Sequence, residues 1–280
     1  IIIPISPMNF LNFLKENSDK LLELSLEHLG LTLLSLLLAC VIAIPTGIWI
    51  ARREAWSRWV LGAAGILQTI PSIALLGSLI PLLGIGVKPA IFALLLYAIL
   101  PILRNTFTGL QGVDPAVREA AAGMGMTPWQ LLRQVELPLA MPVILAGVRT
   151  AAVINVGVAT LAAYIGAGGL GEFIFGGIAL NNNQMILAGA LPAALLAVLF
   201  DQGLALLSRK RQQRPSALLL LIPLLGWMAW RGPANKELLA AAFDPEFSER
   251  ADGLPSIQHQ YPGLAFNTLI LNAGLLYRAV

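Results

Sequence analysis

Apolar residues in this chain gather in long runs rather than alternating with polar ones, and run length is the first structural signal. A membrane-crossing helix needs about 20 predominantly apolar residues, because its backbone must satisfy its own hydrogen bonds. Five runs reach that scale, near 29–50, 60–83, 88–104, 141–165 and 186–207, and a shorter sixth lies near 216–231. Prolines and glycines recur inside them, at Pro45, Gly47, Pro71, Pro81 and Pro101, which predicts kinked helices packed on one another. Ahead of the first run, NFLKENSDKLLELSLEHLG sets leucines at helical spacing among mixed charges. The N-terminal segment 1–28 is therefore expected to end in an amphipathic helix at the membrane interface.

The stretch REAAAGMGMTPWQLLRQVELP, 118–138, breaks this pattern. Asp114 before Pro115 supplies an N-cap oxygen and a residue preset for the first helical turn. The helix that follows puts Ala116, Ala120 and Met124 on one face, and Gly123 and Gly125 allow a turn. Thr127, Pro128, Trp129 and Gln130 then form a capping box opening a second helix, with Leu131, Leu132 and Val135 apolar, which Pro138 is expected to end or bend. Met124, Met126 and Trp129 would be partly exposed unless something covers them. The residues alone leave two readings open: a hairpin packed on its own bundle, or a docking site for another protein.

Composition agrees with the runs: the 280 residues are 57% hydrophobic and 12% charged, with a mean hydropathy of +0.77. That excludes an ordinary soluble domain and makes the bilayer the first partner. The basic residues cluster at run ends, as Arg52, Arg53 and Arg58 and as Arg209, Lys210, Arg211 and Arg214, without the aromatic interleaving of a nucleic-acid groove. Placing both clusters inside puts the N-terminus and everything after 231 outside, and the loop 105–140 in the cytoplasm. Cys40 reads as a small buried hydrophobe, and His28, on a leucine-rich interface segment, has no partner at metal-ligand spacing. Glycines crowd 166–177 around Glu172 and Phe173, consistent with a gate at a pathway mouth or a short re-entrant helix capping the bundle. Gln68, Asn155 and Asp201 are polar groups in or beside runs, where they serve as ligands or as helix-to-helix hydrogen bonds. The chain carries no GxxxxGK[ST] phosphate loop, no H-E-x-x-H, no G-x-S-x-G and no convincing paired-carboxylate cluster, which argues against an enzyme.

Glu119, Ala120, Ala121, Gly125, Val135, Leu137 and Pro138 resemble the EAA loop of permease subunits in ABC importers, with valine where isoleucine is common. LQTIPSIALLG at 67–77, LPILRNTFTGLQGVDPAVREAAAGMGM at 100–126 and NVGVATLAAYIGAGGLGEFIFGGIALNNN at 155–183 resemble permeases of the osmoprotectant uptake branch. The resemblance covers 8–210. It implies an all-α polytopic protein of the bacterial inner membrane with the type I ABC importer transmembrane fold, carrying quaternary-ammonium compounds such as glycine betaine, carnitine or choline. It implies a coupling surface of Glu119, Ala120, Ala121, Gly125, Met126, Trp129, Leu137 and Pro138. Two separate ATP-binding subunits would dock there, holding the ATP and Mg²⁺ that this chain does not use, and a second permease copy would complete the pathway. Gln68, Asn155, Glu172 and Phe173 become pathway or gate candidates. An exporter or channel-like pore with a regulatory loop is the alternative.

The implied layout is an N-terminal segment 1–28, a transmembrane domain 29–208, a basic linker and further span 209–231, and an external piece 232–280. FDPEFSERADGLPSIQHQYPGLAFNTLILNAGLLYRAV, 243–280, resembles an interior part of the substrate-binding protein of the same branch, a type II periplasmic-binding α/β fold. Such receptors cage a quaternary ammonium with aromatic faces. Tyr261, Phe266 and Tyr277 are the candidates, with core packing as their other reading. The natural product is expected to continue past Val280, with an intact mass above 29.8 kDa.

Overall fold

The computed structural model describes residues 10–210 and two strands at 239–243 and 266–270. The expected span at 216–231, Tyr261, Tyr277 and the side chain of Phe266 lie outside the described residues. Among those described, helices long and apolar enough to cross a membrane are α2 (Ser18–Ala51), α5 (Val87–Gln111), a helix running Pro128–Ile165, and α10 (Asn183–Lys210). The pair α3 (Glu54–Thr69) and α4 (Ser72–Leu83) makes a fifth crossing if counted as one.

Three boundaries differ from expectation. The segment before 29 is not a separate interfacial helix. After the short α1 (Phe10–Glu16), α2 runs unbroken from Ser18 into the first span. His28 consequently sits inside the bundle, fully buried, where its Nε2 donates to the Val156 carbonyl at 3.1 Å. The second run is a broken span: α3 and α4 meet at 96°. Ile70 is extended at the break, as the residue before a proline prefers, and Tyr97 donates its hydroxyl to the freed Ile70 carbonyl. The third span continues past 104 to Gln111, carrying it to the edge of the polar insert.

Helices α2, α5 and α8 (Leu137–Leu161) pack mutually at the centre, α3 and α4 lie against α5, and α10 lies against α8 and α9 (Gly171–Ala179). Small residues make the central approach possible. A Cβ at Gly147 would lie 2.5 Å from the Asn105 Cβ and 2.7 Å from the Pro101 carbonyl oxygen, so α5 and α8 could not meet there with any larger residue. At one end of the bundle, Gly86 N–H donates to the Ile165 carbonyl at 2.7 Å and Gly169 N–H donates to Glu27 Oε2 at 3.0 Å. At the other end, Gln111 Nε2 reaches the Ala51 carbonyl at 2.9 Å. The polar insert emerges at this second end. In a separate unit, β1 (Leu239–Phe243) and β2 (Phe266–Ile270) pair in parallel, with Leu239 opposite Phe266.

Candidate functional site

The insert consists of α6 (Pro115–Gly123), α7 (Pro128–Leu131) and a wide π turn, Leu132–Glu136, that feeds directly into α8. Both expected caps form. Asp114 Oδ1 accepts from Ala116 N–H at 2.9 Å. Thr127 N–H donates to Gln130 Oε1 at 2.8 Å while Gln130 N–H donates to Thr127 Oγ1 at 3.3 Å. Gly125 adopts φ +82° and closes α6: its N–H bonds the Ala122 carbonyl at 2.9 Å, and Met126 N–H bonds the Ala121 carbonyl at 3.3 Å. This paired arrangement is a Schellman end, which favours glycine at that position.

Pro138, expected to end or bend the helix, does not end it; the adjustment is a widened turn just before it. A proline inside a helix lacks a donor and pushes against the carbonyl four residues back. Here the preceding turn is widened, so that Leu137 N–H bonds the Leu132 carbonyl five residues away, and helix continues from Pro128 through Ile165. The second helix of the insert and the fourth span are therefore one rod.

The expected surface residues divide into two sides. Ala121 is buried, at 2% exposure, while Met126 and Leu137 are half-buried. Glu119, Ala120, Gly125 and Pro138 are exposed. Met124 and Trp129 are 73% and 66% exposed, an unusual cost for side chains of that size in a polar insert. The alanine and methionine face of α6 thus points away from the bundle.

Glu136 is the residue that sequence reasoning passed over. It is 9% exposed, and its carboxylate collects Arg52 Nη2 at 2.9 Å and Arg118 Nε at 3.1 Å, the latter an ion pair off the line of a hydrogen bond. Arg52 also reaches the Pro128 carbonyl at 3.4 Å, and Arg118 donates to the Leu110 carbonyl. One carboxylate so ties the end of α2, the α6 helix and the Pro128–Ile165 rod together. Its signal in the sequence is that no other acidic residue lies between Glu119 and Glu172. Asp201, expected to serve as a ligand or in a helix-to-helix hydrogen bond, does the latter: its overlooked partner Arg149 joins α8 to α10 by three hydrogen bonds of 2.8 to 3.0 Å. Arg149 is the lone charge in the stretch 137–171, which is itself a signal in an apolar run.

The pathway candidates are not brought together. Asn155 is fully buried, and its Nδ2 donates to Ser35 Oγ at 3.0 Å across the α2–α8 seam. Phe173 is packed edge-to-face on Phe13, with ring centroids 6.3 Å apart, in a core that includes Leu24 and Leu170. Glu172 is half-buried at the start of α9, and Gln68 is half-buried in the last turn of α3. Among the described residues, no group of three or more His, Cys, Asp or Glu is placed to hold a metal ion.

The family described as "Binding-protein-dependent transport system inner membrane component" matches residues 43–213. A Bacillus subtilis glycine betaine/carnitine/choline transport system permease protein, OpuCB, is 45% identical over 200 residues, covering 71% of this chain and 92% of that protein. The osmoprotectant import permease protein OsmW of Salmonella typhimurium is 48% identical, covering 69% and 93%. Among solved structures, an inward-facing MetNI methionine ABC transporter chain aligns with a TM-score of 0.63 at 26% identity, covering 68% of this chain and 95% of that one. The chain is thus a multi-pass inner-membrane protein with the type I ABC importer transmembrane fold. It belongs to the binding-protein-dependent transport permeases and, within them, to the osmoprotectant branch.

Proposed function

We propose that this permease forms the translocation pathway of an ATP-driven importer for quaternary-ammonium osmoprotectants such as glycine betaine, carnitine or choline, the compounds its relatives are named for. ATP and Mg²⁺ belong to two partner subunits that dock on the face bearing Glu119, Ala120, Met124 and Trp129, and a second permease copy completes the pathway. The basic residues Arg52, Arg53 and Arg58 lie at the same end as this face, which supports placing it in the cytoplasm.

The observation that carries the reading is the unbroken rod from Pro128 to Ile165, capped by an exposed tryptophan at one end and crossing the bundle at the other. Closure of two ATPase subunits on the insert would swing this rod directly, and with it the span that packs on α2, α5 and α10. By linkage, a loaded pathway must bias ATPase closure as closure biases loading. Glu172 and Gln68 remain candidates for the pathway itself. For the tail, the reading as a piece of a fused receptor rests on the resemblance of 243–280, with which the parallel pairing of β1 and β2 is compatible.

The test is uptake of labelled glycine betaine, carnitine and choline into vesicles reconstituted with the permease, its ATPase and a receptor domain. ATP-dependent accumulation of at least one is expected. Accumulation of none, with the ATPase bound and active, would overturn the substrate assignment.

A further inference from the structure

The corner between α2 and α3 borders the Trp129 face that the transport reading assigns to the ATPase, and adds features of its own. Pro45, Ile48, Trp49, Arg52, Arg53, Pro128, Trp129 and Leu132 line an open groove of about 510 Å³, mostly apolar, with two guanidinium groups at its lip. Arg52 is committed to Glu136, but Arg53 has no ion-pair partner among the described residues. Arg58 is exposed on the first turns of α3; of the two carboxylates near the corner, Glu136 is taken up by Arg52 and Arg118, and Glu54 opens α3. Trp49 and Trp56 pack on each other, centroids 5.9 Å apart, and Trp56 and Trp59 are 53% and 75% exposed. Tryptophan with arginine is the side-chain pair that favours the headgroup level of a bilayer.

The groove also continues upward. Leu38, Val41, Ile42, Pro45 and Trp49 form an exposed apolar stripe along one face of α2. At 1.5 Å per residue, Leu38 to Trp49 spans about 16 Å. That matches the depth of one leaflet, roughly 15 Å for half the hydrocarbon core. The arginines then sit where a phosphate would, immediately beyond the last apolar turn.

We propose that this corner is a binding site for one anionic phospholipid, with the phosphate at Arg53 and Arg58, the headgroup edge against Trp49 and Trp56, and an acyl chain along the α2 stripe. Because Pro128, Trp129 and Leu132 form the opposite wall, the lipid touches the start of the Pro128–Ile165 rod and would tune its swing. Naming the leaflet as the cytoplasmic one rests on the orientation proposed above, whereas the site itself does not.

Native mass spectrometry of the full chain in detergent tests this, using phosphatidylglycerol and phosphatidylcholine with identical acyl chains. Preferential retention of one phosphatidylglycerol is expected, reduced about fivefold by Arg53→Gln or by Arg58→Gln. Lys88→Gln, at the opposite end of the bundle, should leave retention unchanged. Inorganic phosphate at millimolar concentration should not displace the lipid, because it lacks the chain that fills the stripe. Equal retention of both lipids, or a preference untouched by both arginine substitutions, would overturn the proposal and identify annular lipid only. Displacement by phosphate would reduce the site to a free-anion site, and displacement by the purified ATPase subunit would assign the groove to protein docking. None of these experiments measures uptake, and loss of the lipid preference leaves the vesicle uptake test intact, so failure here is distinguishable from failure of the transport reading.

Discussion

Glu136 decides how the insert is held, because a nearly buried carboxylate with two arginine partners fixes three chain segments at once. Glu136→Gln keeps the shape and removes the charge, leaving Arg52 and Arg118 facing a neutral amide. A charge-assisted hydrogen bond contributes about 2 kcal/mol, and only the Arg52 contact is one, so the variant should be destabilised by roughly that amount, read as a lower unfolding midpoint in detergent. An unaltered midpoint would mean that the clasp contributes nothing. Gly125 makes a conformational demand instead. Nothing lies within 4 Å of a Cβ placed there, yet its φ of +82° disfavours every L side chain except asparagine and aspartate to some degree. Gly125→Val should therefore cost about 1–2 kcal/mol and uncouple the insert, while Gly125→Asn should retain most activity. Substrate-stimulated ATP hydrolysis in vesicles measures both, and equal loss in the two variants would point to a contact with the ATPase rather than to backbone strain.

Between elements, the Arg149–Asp201 pair gives α10 a specific hold on the rod. Helix α10 buries little of its own surface, and the bidentate geometry supplies the register that packing alone would not. Either Arg149→Asp or Asp201→Arg places two like charges together in an apolar setting, and should abolish accumulation of folded protein in the membrane. The double exchange should restore it at least in part, and Arg149→Lys should rescue poorly because ammonium cannot fork across both oxygens. Size-exclusion profiles of the four variants settle the matter; a double exchange no better than either single one would show that the pair is not a direct link. The same elements show what a single sequence reveals. Four of the long apolar spans, the capping box at Thr127 and the turn at Gly125 follow from local chemistry and were legible; the second run counts as a crossing only if its bent halves are taken as one. The route through Pro138 was not, since proline says that a helix must adjust, not whether it breaks or opens a π turn. The 96° break at Pro71 has the same origin: whether proline kinks, breaks or passes depends on what receives the freed carbonyl, here Tyr97 from another helix. Glu136 was visible as the sole acidic residue between Glu119 and Glu172 and Arg149 as a lone charge, but Arg52 and Asp201 lie 84 and 52 residues from them, at distances that no local pattern encodes.

At the scale of the whole molecule, the insert has a buried inner side and an exposed outer side; on the proposed function the outer side serves a partner, and the two sides predict opposite phenotypes. Ala121, at 2% exposure, packs inward, so Ala121→Leu overfills the joint and should lower permease stability by about 1–3 kcal/mol whether or not a partner is present. Trp129 is 66% exposed, so Trp129→Ala should change the stability of the isolated permease by less than about 0.5 kcal/mol. Its loss should be felt in the assembly, where a buried tryptophan is often a hot spot contributing about 2 kcal/mol or more, or roughly thirtyfold in affinity for the ATPase. Met124→Ala should act in the same direction with smaller effect. Thermal melts of the permease alone, set beside titrations of the purified ATPase, separate the two sides. If Trp129→Ala destabilised the lone permease and left ATPase affinity intact, the exposed face would be part of the bundle's own packing and the coupling surface would lie elsewhere. If the separation holds, force from the ATPase enters at Trp129, passes the Glu136 clasp and travels along the rod to Arg149, where α10 must follow.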